Sequence, residues 1–150
     1  MIDLGAVLPS ILPGAIAWAE QQSNLVLRNG ASLPPQCISD AQAVGVQLPE
    51  LIRVAVVPSL PLPVDPMLRS VALDTGLLGP NMVGLTLGHA VFVVHGHDTR
   101  RLLTHEFRHV HQYEVAGSIA AFLHTYLQQI AEFGYEQAPL EIDARQHEIH

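Results

Sequence analysis

The chain predicts an α+β fold, mostly helical around a small sheet. Three observations lead there. β-Branched runs are confined to two stretches, capped helical patterns fill most of the remainder, and 150 residues make one domain rather than two. In chain order, Pro13 suits a first helical position and Asn29-Gly30 a stop, which predicts a helix from about Pro13 to Arg28. A shorter helix follows Pro34-Pro35, with Ile38, Ala41 and Val44 on one face. Ile52, Val54 and Val56 alternate with Arg53, Ala55 and Val57, the period of a strand. The prolines from Pro58 to Pro66 forbid regular pairing and predict a loop. Asp65-Pro66 opens a short helix that closes near Gly76.

The stretch from Thr86 to Val94 is β-rich, and its Gly88 fits either a bulge or a tight hairpin turn. Asp98 is the expected cap of a helix running from Thr99 to about Val115 and stopping at Gly117. Ser118 caps the next, Ile119 to Phe133, closed by Gly134, and Pro139 starts a last helix toward His150. The expected organisation is a single domain. Residues 1–66 form a helical part plus one strand, and residues 67–150 a metal-binding core.

Composition narrows the function. Hydrophobic residues make up 49% and charged residues 14%, so the chain can build a core without a disulfide or metal to hold it. The net charge of −7, with no lysine, disfavours nucleic acid, whose binding rests on neutralised phosphates. The single cysteine, Cys37, excludes an internal disulfide and a Cys-rich zinc finger, and reads as a small buried hydrophobe. The apolar N-terminus has no positive charge before Arg28, unlike a secretory signal, and no apolar run reaches the ~18 residues of a membrane span. A soluble, cytoplasmic protein is expected. The nine histidines are the outlier.

Two of them carry the chemistry. In Thr104-His105-Glu106-Phe107-Arg108-His109, the histidines lie four apart, so both imidazoles leave one helical face and can bind one cation. Glu106, at the edge of that face, can take a proton from a water at the metal. Leu103, Phe107 and Val110 form a separate stripe that faces a core. A hydrolytic zinc site needs a third protein ligand. Glu141, in the first turn of the helix opened by Pro139, is the choice. His147 is the main rival, ahead of Glu136 and Asp143, while Glu132 and His124 are weaker and His111 points elsewhere. Glu141 also suits a plain helix-dipole carboxylate.

The His105-Glu106-x-x-His109 helix, preceded by a strand and followed by Pro139-Leu140-Glu141-x-x-Ala144, resembles a zincin metallopeptidase of the gluzincin kind. It is similar to small, poorly characterised bacterial zincin-like domains. The resemblance is carried by His105 to Arg145 and extends back to Thr86; residues 1–80 are covered only loosely. It implies Zn²⁺ held by His105, His109 and Glu141, with Glu106 as general base. It also implies a sheet whose edge strand lies beside the catalytic helix and pairs with an extended peptide. One departure stands out. Many gluzincins place an Asp four residues after the ligand Glu to orient a histidine, and here that position is Arg145, with Asp143 as a substitute.

Tyr113, one turn beyond His109, is a candidate oxyanion donor or a packed helix tyrosine, and Tyr135 a poorer one. His95 and His97 read as a solvent-facing pair and His89 as structural. The expected function is a zinc-dependent hydrolase, a metallopeptidase acting on a peptide or protein. The alternative is a zinc-bound scaffold that works as a protein-interaction module.

Overall fold

The computed structural model describes residues 2–150. Among these residues the chain forms six α-helices and a four-stranded mixed sheet, an α+β architecture. Helix α1 (Leu4–Asn29) leads into strand β1 (Ala31–Ser32) and helix α2 (Pro35–Ala43). Strand β2 (Arg53–Val57) and helix α3 (Pro66–Asp74) follow, then the hairpin β3 (Gly84–Leu87) and β4 (Ala90–Val94). Three helices finish the chain: α4 (Arg100–Ala116), α5 (Ile119–Phe133) and α6 (Pro139–Gln146).

Helix α1 begins nine residues earlier than Pro13. Asp3 caps it by accepting from the Ala6 amide, and Pro9 and Pro13 both lie inside the helix. A proline in a helix interior costs about 3 kcal/mol. Against that cost, Leu4, Leu8 and Ile11 are buried on Val71, Leu127 and Ile130, at roughly 1.5–3 kcal/mol for each side chain. Tertiary burial overrides the local signal. Residues 1–66 also supply one strand more than expected, the two-residue β1.

The strand order is β1-β2-β4-β3, with β2 and β4 parallel and β3 and β4 antiparallel. Strand β4 has helices on both of its faces, which is why its sequence is an unbroken apolar run. Its Ala90 and Phe92 pack with Ala19 and Val26 of α1 and with Phe122 and Leu123 of α5. Val91 and Val93 face the other way, onto Ala41 of α2 and Phe107 and Val110 of α4. Gly88, at φ 70°, opens the two-residue turn between β3 and β4, so the hairpin is the outcome and not the bulge.

Strand β3 is one of the two edge strands of the sheet, opposite β1, and α4 packs beside it. The α4 N-cap is Thr99, accepting from the Leu102 amide, and not the expected Asp98. Gly117, left-handed at φ 94°, ends it. The caps at Ser118 and Gly134 and the start at Pro139 lie where the sequence places them. Helix α5 carries the chain back, so α6 lies against α4. Among the described residues, no helix is long and apolar enough to cross a membrane.

Candidate metal centre

His105 and His109 stand on successive turns of α4 with ring centroids 5.0 Å apart. Glu141, only 1% exposed, reaches them from the first turn of α6. Its carboxylate oxygens lie 2.9 Å from His109 Nε2 and 3.2 Å from His105 Nε2. One ligand atom from each of the three residues lies within 4.8 Å of the other two. Among the described residues this is the one group of histidine, cysteine and carboxylate side chains gathered closely enough to hold a metal ion.

The tautomers follow from the partners behind the rings. Gln112 Nε2 donates to the Leu140 carbonyl and the Asp143 carboxylate, both at 2.9 Å, so its Oε1 must be the atom facing His109. His109 Nδ1–H therefore donates to it, at 2.7 Å. His105 Nδ1–H donates to Glu148 at 2.8 Å, and Glu148 is in turn held by Arg101. Both Nε2 atoms are left as lone pairs when the rings are neutral. Two nitrogen lone pairs and a carboxylate aimed at one point repel one another unless protons or a cation lie between them.

In the metal-free chain the protons do this. Burial would lower His109, yet the adjacent Glu141 charge and hydrogen bond push it up to about 9. His105 is raised for the same reason, against its own burial. Burial would raise Glu141, but both histidines and the Tyr126 hydroxyl hold it well below the usual carboxylate range. The donor set, two imidazole nitrogens and a carboxylate with acceptors fixed behind both rings, fits a divalent transition metal. Gln112→Ala and Glu148→Ala should each weaken metal affinity by about 10–100-fold, measured by competition with a chelator of known affinity. Unchanged affinity in both would show that the ring orientations are fixed by packing alone.

Glu106 is the remaining carboxylate, 5% exposed, accepting from the Thr86 hydroxyl at 2.8 Å. Burial raises its pKa and the Glu141 charge adds to that, while the two histidines oppose it. A buried carboxylate whose pKa is raised suits a group that must accept and return a proton. Its position depends on Gly84 of β3. A Cβ there would lie 2.8 Å from Glu106 Oε2 and 3.0 Å from its Cδ. The φ of Gly84 is not positive, so an alanine there meets no backbone strain, only this contact, and the Glu106 side chain must shift to admit it. Gly84→Ala should move the Glu106 carboxylate off the Thr86 hydroxyl with metal affinity unchanged, checked by a structure of the variant and by chelator competition. A carboxylate still bonded to Thr86 would show that the contact is relieved elsewhere.

Of the tyrosines, Tyr113 donates its hydroxyl to the Thr86 carbonyl at 3.0 Å and stacks on Phe122, the packed arrangement. Tyr126 bonds the site directly, donating to Glu141 at 2.7 Å. Tyr135 lines the pocket with Glu106 and Glu141, and burial and both carboxylates push its phenol up. The other candidates lie apart. His147 Nδ1 meets the Asp143 carbonyl at 2.8 Å, and His111 Nδ1 meets Gly45 O at 2.9 Å. His124, Glu132 and Glu136 are exposed, as are His95 and His97. His89 pairs with Glu114, and the Cys37 thiol is half-buried.

Asp143 does not touch a ligand histidine; it holds Gln112, which does, and Arg108 holds Asp143 at 2.8 Å. Arg145, where an orienting Asp is common in gluzincins, donates to the Glu136 carbonyl. Glu148, Gln112 and Tyr126 were not singled out from the sequence. Only Gln112, one turn after His109, carries a local signal, since it must lie near that ring.

An open groove runs past the outer side of the triad, lined by Val83 and Gly84 of the sheet edge and by His97, Arg101 and Arg145. Comparison with known protein families, curated proteins and solved structures finds no match to this chain.

Proposed function

We propose that the chain is a zinc-dependent hydrolase with a zincin-like site, acting on peptide bonds. The reading rests on one observation: His105, His109 and Glu141 converge within 4.8 Å beside the buried Glu106 carboxylate. His105 Nε2, His109 Nε2 and a Glu141 oxygen would hold the ion, leaving a position open toward the groove. Bound zinc supplies Lewis acidity, polarising a carbonyl and making a water acidic near neutral pH. Imidazole and carboxylate donors suit zinc, as they also suit iron, copper and nickel, so metal analysis decides the ion.

The chain's own groups supply the rest. Glu106 accepts a proton at its carboxylate and returns it to the leaving nitrogen, and the Thr86 hydroxyl fixes its rotamer. Glu148 and Gln112 keep both imidazoles in the tautomer that presents Nε2. The sheet edge supports a peptide partner, on a short scale. In the β3–β4 register, Val83 and Leu85 bond to β4, so the backbone groups of Gly84 and Thr86 point away from the sheet. Tyr113 occupies the Thr86 carbonyl, which leaves the N–H and C=O of Gly84 as the paired anchor for an extended strand.

The test is zinc content of untagged protein together with cleavage of a peptide library by the zinc-loaded chain. Stoichiometric zinc with cleavage is expected. Stoichiometric zinc with no cleavage would move the protein to the binding-module reading, and absence of zinc uptake would end both.

A further inference from the structure

The groove beside the triad is uneven in charge. Arg101 stands one turn before His105 on α4, and Arg145 one turn after Glu141 on α6. The two helices run antiparallel: Glu141 meets His109 and His105, while Glu148, just past α6, meets His105 and Arg101. Both arginines therefore reach the same end of the groove, where His97 and Thr99 also line it.

The positive charge at that end is incompletely answered from within the chain. Arg101 Nε donates to one oxygen of Glu148 at 2.8 Å, but the other oxygen is taken by His105, so one carboxylate serves two partners. The terminal nitrogens of Arg101 keep donors to spare. Arg145 donates to the Glu136 carbonyl, a neutral acceptor, and among the described residues no carboxylate pairs with it. The first turn of α4 carries no acidic residue, and arginine there opposes the helix dipole. Arg145 also acts on the centre. Burial and the Glu141 and Glu106 carboxylates push the Tyr135 phenol up, and the Arg145 charge opposes them.

Two of seven basic residues thus meet at one groove end in a chain of net charge −7. We propose that this end receives a carboxylate of the bound peptide, from an acidic side chain or the peptide's own terminus, paired with Arg145 and the spare donors of Arg101. The inference rests on the hydrolase reading for the peptide and the ion. A groove of about 350 Å³ has room for a side chain and not merely for a small ion. On each helix about 5.4 Å, one turn, separates arginine from ligand, so the carboxylate belongs one or two residues from the bond at the metal. A neutral residue there leaves the donors to water, and a lysine adds like-charge repulsion. Selectivity at this end is by charge.

Zinc-loaded protein is titrated calorimetrically with three malonyl hydroxamates, built on alanyl-alanine amide, aspartyl-alanine amide and alanyl-alanine free acid. The first is neutral beyond the hydroxamate, the second adds a side-chain carboxylate and the third a terminal one. At least one charged probe should bind about tenfold more tightly than the neutral probe at roughly 0.05 M salt, and the gain should fade near about 1 M. The probe that shows the gain identifies the source of the carboxylate. Arg145→Gln should remove most of the gain while zinc content and neutral-probe affinity stay unchanged, and Arg145→Lys should keep part of it. Equal affinity for all three probes overturns the inference and leaves the metal reading standing, as does a gain that survives Arg145→Gln at full size. Failure to take up zinc, or to bind the neutral probe, overturns the hydrolase reading and the inference with it.

Discussion

Glu106→Gln should retain stoichiometric zinc and lose about 10²–10⁴-fold in kcat/KM. The substitution keeps shape and removes only basicity. An amide oxygen still accepts from Thr86, and the space opposite Gly84 still holds the side chain. None of the three convergent ligand atoms comes from residue 106, so metal affinity has no reason to fall. Stability should be equal to or slightly above that of the parent, because a buried carboxylate whose pKa is raised is itself costly in its charged form. Metal analysis and steady-state kinetics on one preparation check both halves. Full turnover by the glutamine variant would place the general base elsewhere, and loss of zinc would make Glu106 a ligand.

The second large effect is expected at Glu141. Glu141→Ala should abolish stoichiometric zinc binding and destabilise the metal-free chain by roughly 3 kcal/mol near pH 6, since it strips the partner from two buried histidines. The pH dependence has a definite sign. His109 is raised from 6.5 to about 9, so its share of the stabilisation is complete below 6.5 and lost as pH rises through about 9. Glu141 is depressed from 4.5, so its share is complete above 4.5 and lost as pH falls through its lowered value. The difference in stability between parent and variant should therefore be greatest between about pH 4.5 and 6.5 and shrink toward pH 9. Denaturant titrations across that range measure it. Zinc uptake by the parent at pH 7 should also release protons from His109, visible as a dependence of the calorimetric heat on buffer ionisation enthalpy. Full zinc occupancy in the alanine variant would hand the third position to another residue.

What could be read locally came from short-range geometry. The pairing of His105 with His109 is a property of any helix at that spacing. The caps at Ser118, Gly117 and Gly134 and the start at Pro139 are one-residue signals with local causes. Glu141 was legible because its place in a first turn fixes its backbone, and the intervening helix is long enough to return the chain. Asp98 and Thr99 illustrate the limit of such signals: two adjacent cap residues compete, and the hydrogen bond to Leu102 goes to the second.

The rest required contacts between distant segments. Nothing near Leu4 in the sequence says that it will bury against Leu127 and Ile130, yet that burial keeps the helix intact through Pro9 and Pro13. Glu148 follows the last helix, and its role behind His105 exists because the Ile149 amide is anchored on Thr104, 45 positions away. Gly84 lies outside every element expected from the sequence, and its importance appears only when α4 brings the Glu106 carboxylate against it.

The amino-acid order alone settled the helix that presents two imidazoles and a carboxylate, because residue spacing on a helix is a fixed angle. Tertiary structure alone decided which side chains stand behind those rings, where the sheet edge lies and that Arg101 and Arg145 share one end of the groove. Those features depend on which surfaces bury together, and burial is a property of the whole chain.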